Sequence, residues 1–123
     1  MKYTDVFSKL TFETAIIVFM KKNGDFRVML GTRNINTASL KWDFLGGALG
    51  GHDKRCSIKN GNIAVIDLLL GEVRSFNIDR LTYIEYVGEI RNNEDLDTAA
   101  ERFVAFKESY ESSIPKEITM EDL

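Results

Sequence analysis

A small, mainly β barrel of five or six short antiparallel strands, with a helix at either end of the chain, is the fold this sequence predicts. Three observations predict it. The stretch Asn60 to Arg80, NGNIAVIDLLLGEVRSFNIDR, holds two β-type runs. Ile63, Val65, Ile66, Val73, Phe76 and Ile78 bring β-branched and aromatic bulk, and Gly71 between the runs brings the permissive backbone of a tight connection. Upstream, TAIIVFM (14–20) and FRVMLGTR (26–33) flank Asn23-Gly24, the favoured pair for a type I′ hairpin turn. Beyond Asn93 the apolar residues Leu96, Ala99, Ala100, Phe103, Phe106 and Tyr110 recur at three- and four-residue steps, the period of an amphipathic helix.

Taken in order, TDVFSKL (4–10) offers Thr4 as an N-cap and sets Val6, Phe7 and Leu10 at helical spacing, which predicts a short leading helix. The hairpin follows, with Phe26, Val28 and Leu30 alternating against Arg27 and Met29. Residues 34–53, NINTASLKWDFLGGALGGHD, have mixed periodicity and four glycines. They read as a long loop, which points to function, mobility or an insertion. KRCSI (54–58) reads as a short strand with Cys56 pointing into the barrel, and LTYIEYVGEI (81–90) as a last strand covered on both faces. For the final helix, a capping box from Thr98 to Glu101 and the acidic Glu94, Asp95 and Asp97 predict a start at 94 or 97 and an end near 112, before Pro115. Residues 116–123 read as a frayed end. Too few strands are available for a sandwich, so the expectation is an SH3-like or Sm-like barrel with a C-terminal amphipathic helix, in one domain.

Composition narrows the function. No apolar run is long enough for a membrane span and no leading segment resembles a secretory signal, so a cytoplasmic protein without a membrane partner is expected. Cys56 stands alone, which fits a reducing compartment and a buried thiol. The net charge of -3 hides a division. Residues 21–91 carry 11 Lys and Arg against 8 Asp and Glu, whereas residues 92–123 carry 3 against 9.

The chemistry-bearing motifs stop short of a catalytic centre. Gly46-Gly47-Ala48-Leu49-Gly50-Gly51 lacks the Lys-Ser/Thr of a P-loop and the spacing of a dinucleotide fingerprint. His52, Asp53 and Cys56 are too few for a closed zinc site. No catalytic residue, metal or cofactor is therefore assigned, and a non-enzymatic protein is expected. The candidate binding residues are Arg33, Lys41, Trp42, Phe44, Gly46, Gly47, Gly50, Gly51, Lys54 and Arg55. In that set the aromatics would dock or anchor a partner, and the glycines and cations would approach a phosphate. A broader basic surface for nucleic acid comprises Lys21, Lys22, Arg27, Arg33, Lys41, Lys54, Arg55, Lys59, Arg74 and Arg80, although the chain's pI near 5.2 lies below that of a typical nucleic-acid domain.

Over residues 13–90 the chain resembles the small SH3 β-barrel fold-containing proteins of unknown function encoded by bacteriophages. The resemblance rests on Lys22 to Met29, on Val65-Ile66-Asp67-Leu68, and on Gly71 with Arg74-Ser75-Phe76 followed by Asp79. It implies a barrel of phage origin in the host cytoplasm, and it carries over no functional residue. The function expected first is an accessory protein that binds and modulates a host macromolecule, most readily a protein of transcription or defence. The alternatives are a nucleic-acid-binding barrel and a sponge for a phosphate-bearing signal in the Gly-rich loop, with homo-oligomerisation through open strand edges also in view.

Overall fold

In the computed structural model, which describes residues 2–43 and 45–113, helix α1 (Tyr3–Phe12) leads into strands β1 (Thr14–Met20) and β2 (Phe26–Thr32). Two helices, α2 (Ile35–Ala38) and α3 (Leu45–Asp53), precede β3 (Asn62–Asp67) and β4 (Glu72–Asn77). A 3-10 turn at Ile78–Arg80 joins β4 to β5 (Leu81–Gly88), and α4 (Asn93–Ser113) follows. The strands form one antiparallel sheet in the order β4-β3-β2-β1-β5.

The sheet curls because both its edges serve one interior. Ala15, Ile17 and Phe19 of β1, Met29 of β2, Ile63 and Val65 of β3 and Phe76 of β4 form a buried cluster, and Ile84 and Tyr86 of β5 pack on it. Val6 and Leu10 of α1 complete the cluster, so α1 plugs the barrel. Intervening residues face outward. Ile16, Leu30, Ala64 and Ile66 meet Ala38, Leu49 and the α4 stripe Leu96, Ala99 and Phe103 in a second cluster. β1 is thus covered on both faces, which explains why TAIIVFM is almost continuously apolar rather than alternating. β2 and β3 overlap only at Gly31–Asp67 and Thr32–Ile66, a strong stagger of the kind a closing sheet needs.

Side chains latch the helices on. The Thr32 hydroxyl donates to the carbonyls of Leu10 and Glu13, and the Arg33 amide also donates to Leu10, so the end of β2 caps the carboxyl end of α1. Thr37 donates to the Ile90 carbonyl at 2.7 Å and ties α2 to the chain that enters α4. α4 lies along the outer face of β5, where Phe106 stacks on Tyr83 at 4.9 Å and Arg102 pairs with Glu85 at 2.6 Å.

Several local readings need correction. The stretch 34–53 is mostly helical. Four glycines in nine residues disfavour α3 by about 1 kcal/mol each relative to Ala, but Leu45 and Leu49, one turn apart, pack into the outer cluster and Arg33 grips Asp53 at the end. KRCSI forms turns rather than a strand, and Cys56 lies half-buried beside the outer cluster. The Asn23-Gly24 hairpin closes as a three-residue turn. The Lys21 amide donates to Asp25, the Gly24 amide donates to Lys21, and Gly24 takes φ 90°. α1 starts with Lys2 in the cap position and no side-chain cap, not with Thr4. α4 starts one turn before Thr98: Asn92 accepts the Asp95 amide, while Thr98 donates back to the Glu94 carbonyl within the helix. Phe44, Pro115 and the stretch 116–123 lie outside the described residues.

Gly71 is a position where glycine is required. It sits at φ 69°, and a Cβ there would stand 2.6 Å from Cε3 of the Trp42 ring. Gly71→Ala will cost about 1–2 kcal/mol from the left-handed backbone alone, with further loss from displacing the indole. Urea unfolding followed by the fluorescence of Trp42, the single tryptophan, measures both effects.

Candidate anion-binding groove

Among the sequence candidates, Arg33 and Trp42 are packed inward, whereas Lys41, Lys54 and Arg55 are exposed. Arg33 leaves the end of β2 and its side chain is 10% exposed. Its guanidinium forks onto Asp53 at 2.8 and 3.0 Å, donates to the Ala64 carbonyl at 2.7 Å and lies 4.1 Å from the centre of the Phe7 ring. This is an internal strut joining β2, β3, α1 and α3. Trp42 docks: its indole N–H donates to the Leu68 carbonyl at 2.6 Å and its ring covers Gly71, with Lys41 over the outer side. A Cβ added at Gly46 would meet the Ile35 side chain at 3.4 Å, whereas one at Gly47, Gly50 or Gly51 would point into open space. Lys54 and Arg55 are exposed in the turn after α3, and Phe44 lies outside the described residues.

A different set of cations does converge. β4 pairs with β3 and β5 with β1, and among the described residues no ladder joins β4 to β5, so the barrel keeps an open seam. A groove of about 600 Å³ lies between β4 from Val73 to Asn77 on one side and the end of β1 with its hairpin on the other. Phe19 and Phe76, both almost wholly buried, form an apolar floor with ring centroids 5.7 Å apart. Lys21, Lys22, Arg27, Arg74 and Arg80 line the walls, with Asn62, Ser75 and Asn77 as neutral polar groups and no carboxylate among the lining residues.

The five cations are not equivalent. Arg74 is held by Glu72 at 2.7 Å and by the buried Asp67 at 3.4 Å. Among the described residues Lys21, Lys22, Arg27 and Arg80 make no ion pair, so their charge is available to a ligand. Each is placed by its element: Lys21 and Lys22 continue β1 into the turn, Arg27 stands opposite Phe19 in the β1–β2 register, and Arg80 ends the 3-10 turn that carries the chain from β4 to β5. Asn77 shapes the floor end, accepting the Asp79 amide and donating to Asn62 and to the Asn60 carbonyl. A smaller depression of about 270 Å³ adjoins the groove, sharing Lys21 and Arg27 with it and adding Phe26, which is 46% exposed.

All five groove cations belong to the basic surface read from the sequence, but their positions at 21, 22, 27, 74 and 80 show no spacing that groups them. Only the curl of the sheet does so. Tyr3 donates to the Asn62 carbonyl at 2.8 Å, and its hydroxyl is pushed above the usual tyrosine range by burial first and by the neighbouring Cys56 second. Among the described residues no three His, Cys, Asp or Glu side chains gather as metal ligands, and no helix is long and apolar enough to cross a membrane.

A family model described as WYL_2, Sm-like SH3 beta-barrel fold, matches residues 5–82, from α1 through the start of β5. The chain belongs to that family. No curated protein and no solved structure matches it. The match covers the groove residues on β1, β2, β4 and the 3-10 turn and leaves out α4.

Asp53→Asn will leave the enclosed Arg33 without its carboxylate and lower stability by about 2 kcal/mol, the scale of a hydrogen-bonded charged pair that is partly open to water. Anion binding by the purified variant should match that of the parent chain, because Arg33 does not line the groove. Chemical denaturation and a binding titration check the two halves separately.

Proposed function

We propose that this chain is a non-enzymatic nucleic-acid-binding barrel, of the phage origin implied by its resemblance, whose ligand strand lies in the groove between β4 and the β1–β2 hairpin. The observation that carries this reading is the lining itself, in which Lys21, Lys22, Arg27 and Arg80 face one concavity without a carboxylate. A groove walled by one sign of charge over an apolar floor concentrates the potential and favours a chain of phosphates over a single compact anion. Ser75, Asn62 and Asn77 add neutral donors and acceptors for sugar and base edges, and the exposed Phe26 offers a ring for stacking beside the groove.

The other expected ligands find less support. Trp42 offers no anchor to a host protein of transcription or defence, since its ring is packed on Gly71. Gly50 and Gly51 lie past the first turn of α3, where amides bond inside the helix instead of cradling a phosphate.

Titration of a labelled single-stranded oligonucleotide across a salt series tests the proposal. With four phosphate contacts the logarithm of affinity should fall against the logarithm of salt with a slope of about -3. Lys22→Ala and Arg80→Ala should each weaken binding on every sequence tried and flatten that slope by roughly 1. Phe26→Ala should cost about 1 kcal/mol or more with the slope unchanged. Binding that ignores salt, or that survives removal of both cations, would sink the reading.

A further inference from the structure

One side of α4 carries apolar and acidic residues that pack on nothing among the described residues. Its inward stripe, Leu96, Ala99, Phe103 and Phe106, is spent on the barrel, but Asp97, Glu101, Val104 and Glu108 follow one another at steps of three and four residues on another side, with Ala100 and Ala105 beside them. Val104 is 48% exposed, and among the described residues none of Asp97, Glu101 and Glu108 makes an ion pair. The surface is an apolar ridge flanked by uncompensated carboxylates.

The groove shows the same pattern with the sign reversed: Met20, 37% exposed, stands on its wall among Lys21, Lys22, Arg27 and Arg80. One chain cannot bring the two together. The carboxyl end of α4 already lies against the hairpin through Lys107, Tyr110 and Glu111, which share a depression with Lys21 and Arg27, while the acidic ridge lies on another side of the helix. We propose that the groove of one copy receives the acidic ridge of α4 from a second copy, giving head-to-tail assembly. The match of charge and of apolar centre identifies the occupant as the same chain. Because the two surfaces differ, the contact is heterologous: each added copy presents a vacant groove at one end and a vacant ridge at the other. A second copy and a nucleic-acid strand would compete for the groove, but assembly is measured without nucleic acid, so the two readings fail independently.

Sedimentation of the full chain tests the proposal. At about 0.01 M salt the mean mass should rise with concentration above the 14.0 kDa of one copy, and at about 1 M salt it should return to that value, since screening shortens the reach of the charges roughly tenfold. Glu101→Lys with Glu108→Lys in one variant, and Lys21→Glu with Lys22→Glu in another, should each remain single copies at low salt. An equimolar mixture of the two variants should associate, because it pairs an intact ridge with an intact groove and a reversed ridge with a reversed groove. Circular dichroism confirms that each variant is folded. A parent chain that stays at one-copy mass at low salt, variants that assemble like the parent, or a mixture that stays dissociated would each overturn the proposal.

Discussion

β1 is the constraint on which the rest depends. Its seven residues are sandwiched between two apolar clusters, one closed by α1 and the other by α2, α3 and α4, and it pairs along its length with both β2 and β5. A strand buried on both sides allows no slip of register, because moving by one residue would exchange the two clusters wholesale. The helices differ in how much they supply by themselves. α4 carries its own apolar stripe, whereas α3, rich in glycine, holds its shape through Leu45, Leu49 and the grip of Arg33 on Asp53.

The groove follows from the same geometry. A curled sheet in which β2 and β3 share only two residue pairs leaves room between β4 and the β1–β2 hairpin, which carries two adjacent lysines. The buried Phe19 and Phe76 hold the groove's floor, so the cations stand over packed apolar surface rather than over more water. The two proposed occupants, a strand of phosphates and a charged helix of a second copy, would each answer one requirement, the neutralisation of Lys21, Lys22, Arg27 and Arg80.

Strands were legible where the code is local. The runs 14–20, 26–32, 62–67, 72–77 and 81–88 declare themselves through β-branched and aromatic content, and Gly24, Gly61 and Gly71 through turns that need positive φ. The helix beyond residue 92 is legible from its period, and its start at Asn93 agrees with the earlier of the two expected starts, with Asn92 rather than Thr98 accepting the first-turn amide. The segment 34–53 was misread since its helices rest on contacts with residues far along the chain: Thr37 with Ile90, Leu49 with the sheet, Asp53 with Arg33. Trp42 and Arg33 stood out as chemically conspicuous, and both turn out to be internal struts, because burial of an indole or a guanidinium is decided by what lies opposite it.

By itself the sequence determined the class of the fold, a small Sm-like SH3 barrel with a C-terminal helix, because the alternation of apolar residues, the glycine turns and the helical period are properties of neighbours a few positions apart. It also determined the charge division between the barrel and the acidic helix. Tertiary structure alone decided which charges act together. Arg33 is spent on Asp53 inside the fold, and Lys21, Lys22 and Arg27 are brought to one groove with Arg80, more than fifty positions further along the chain, by the curl of the sheet.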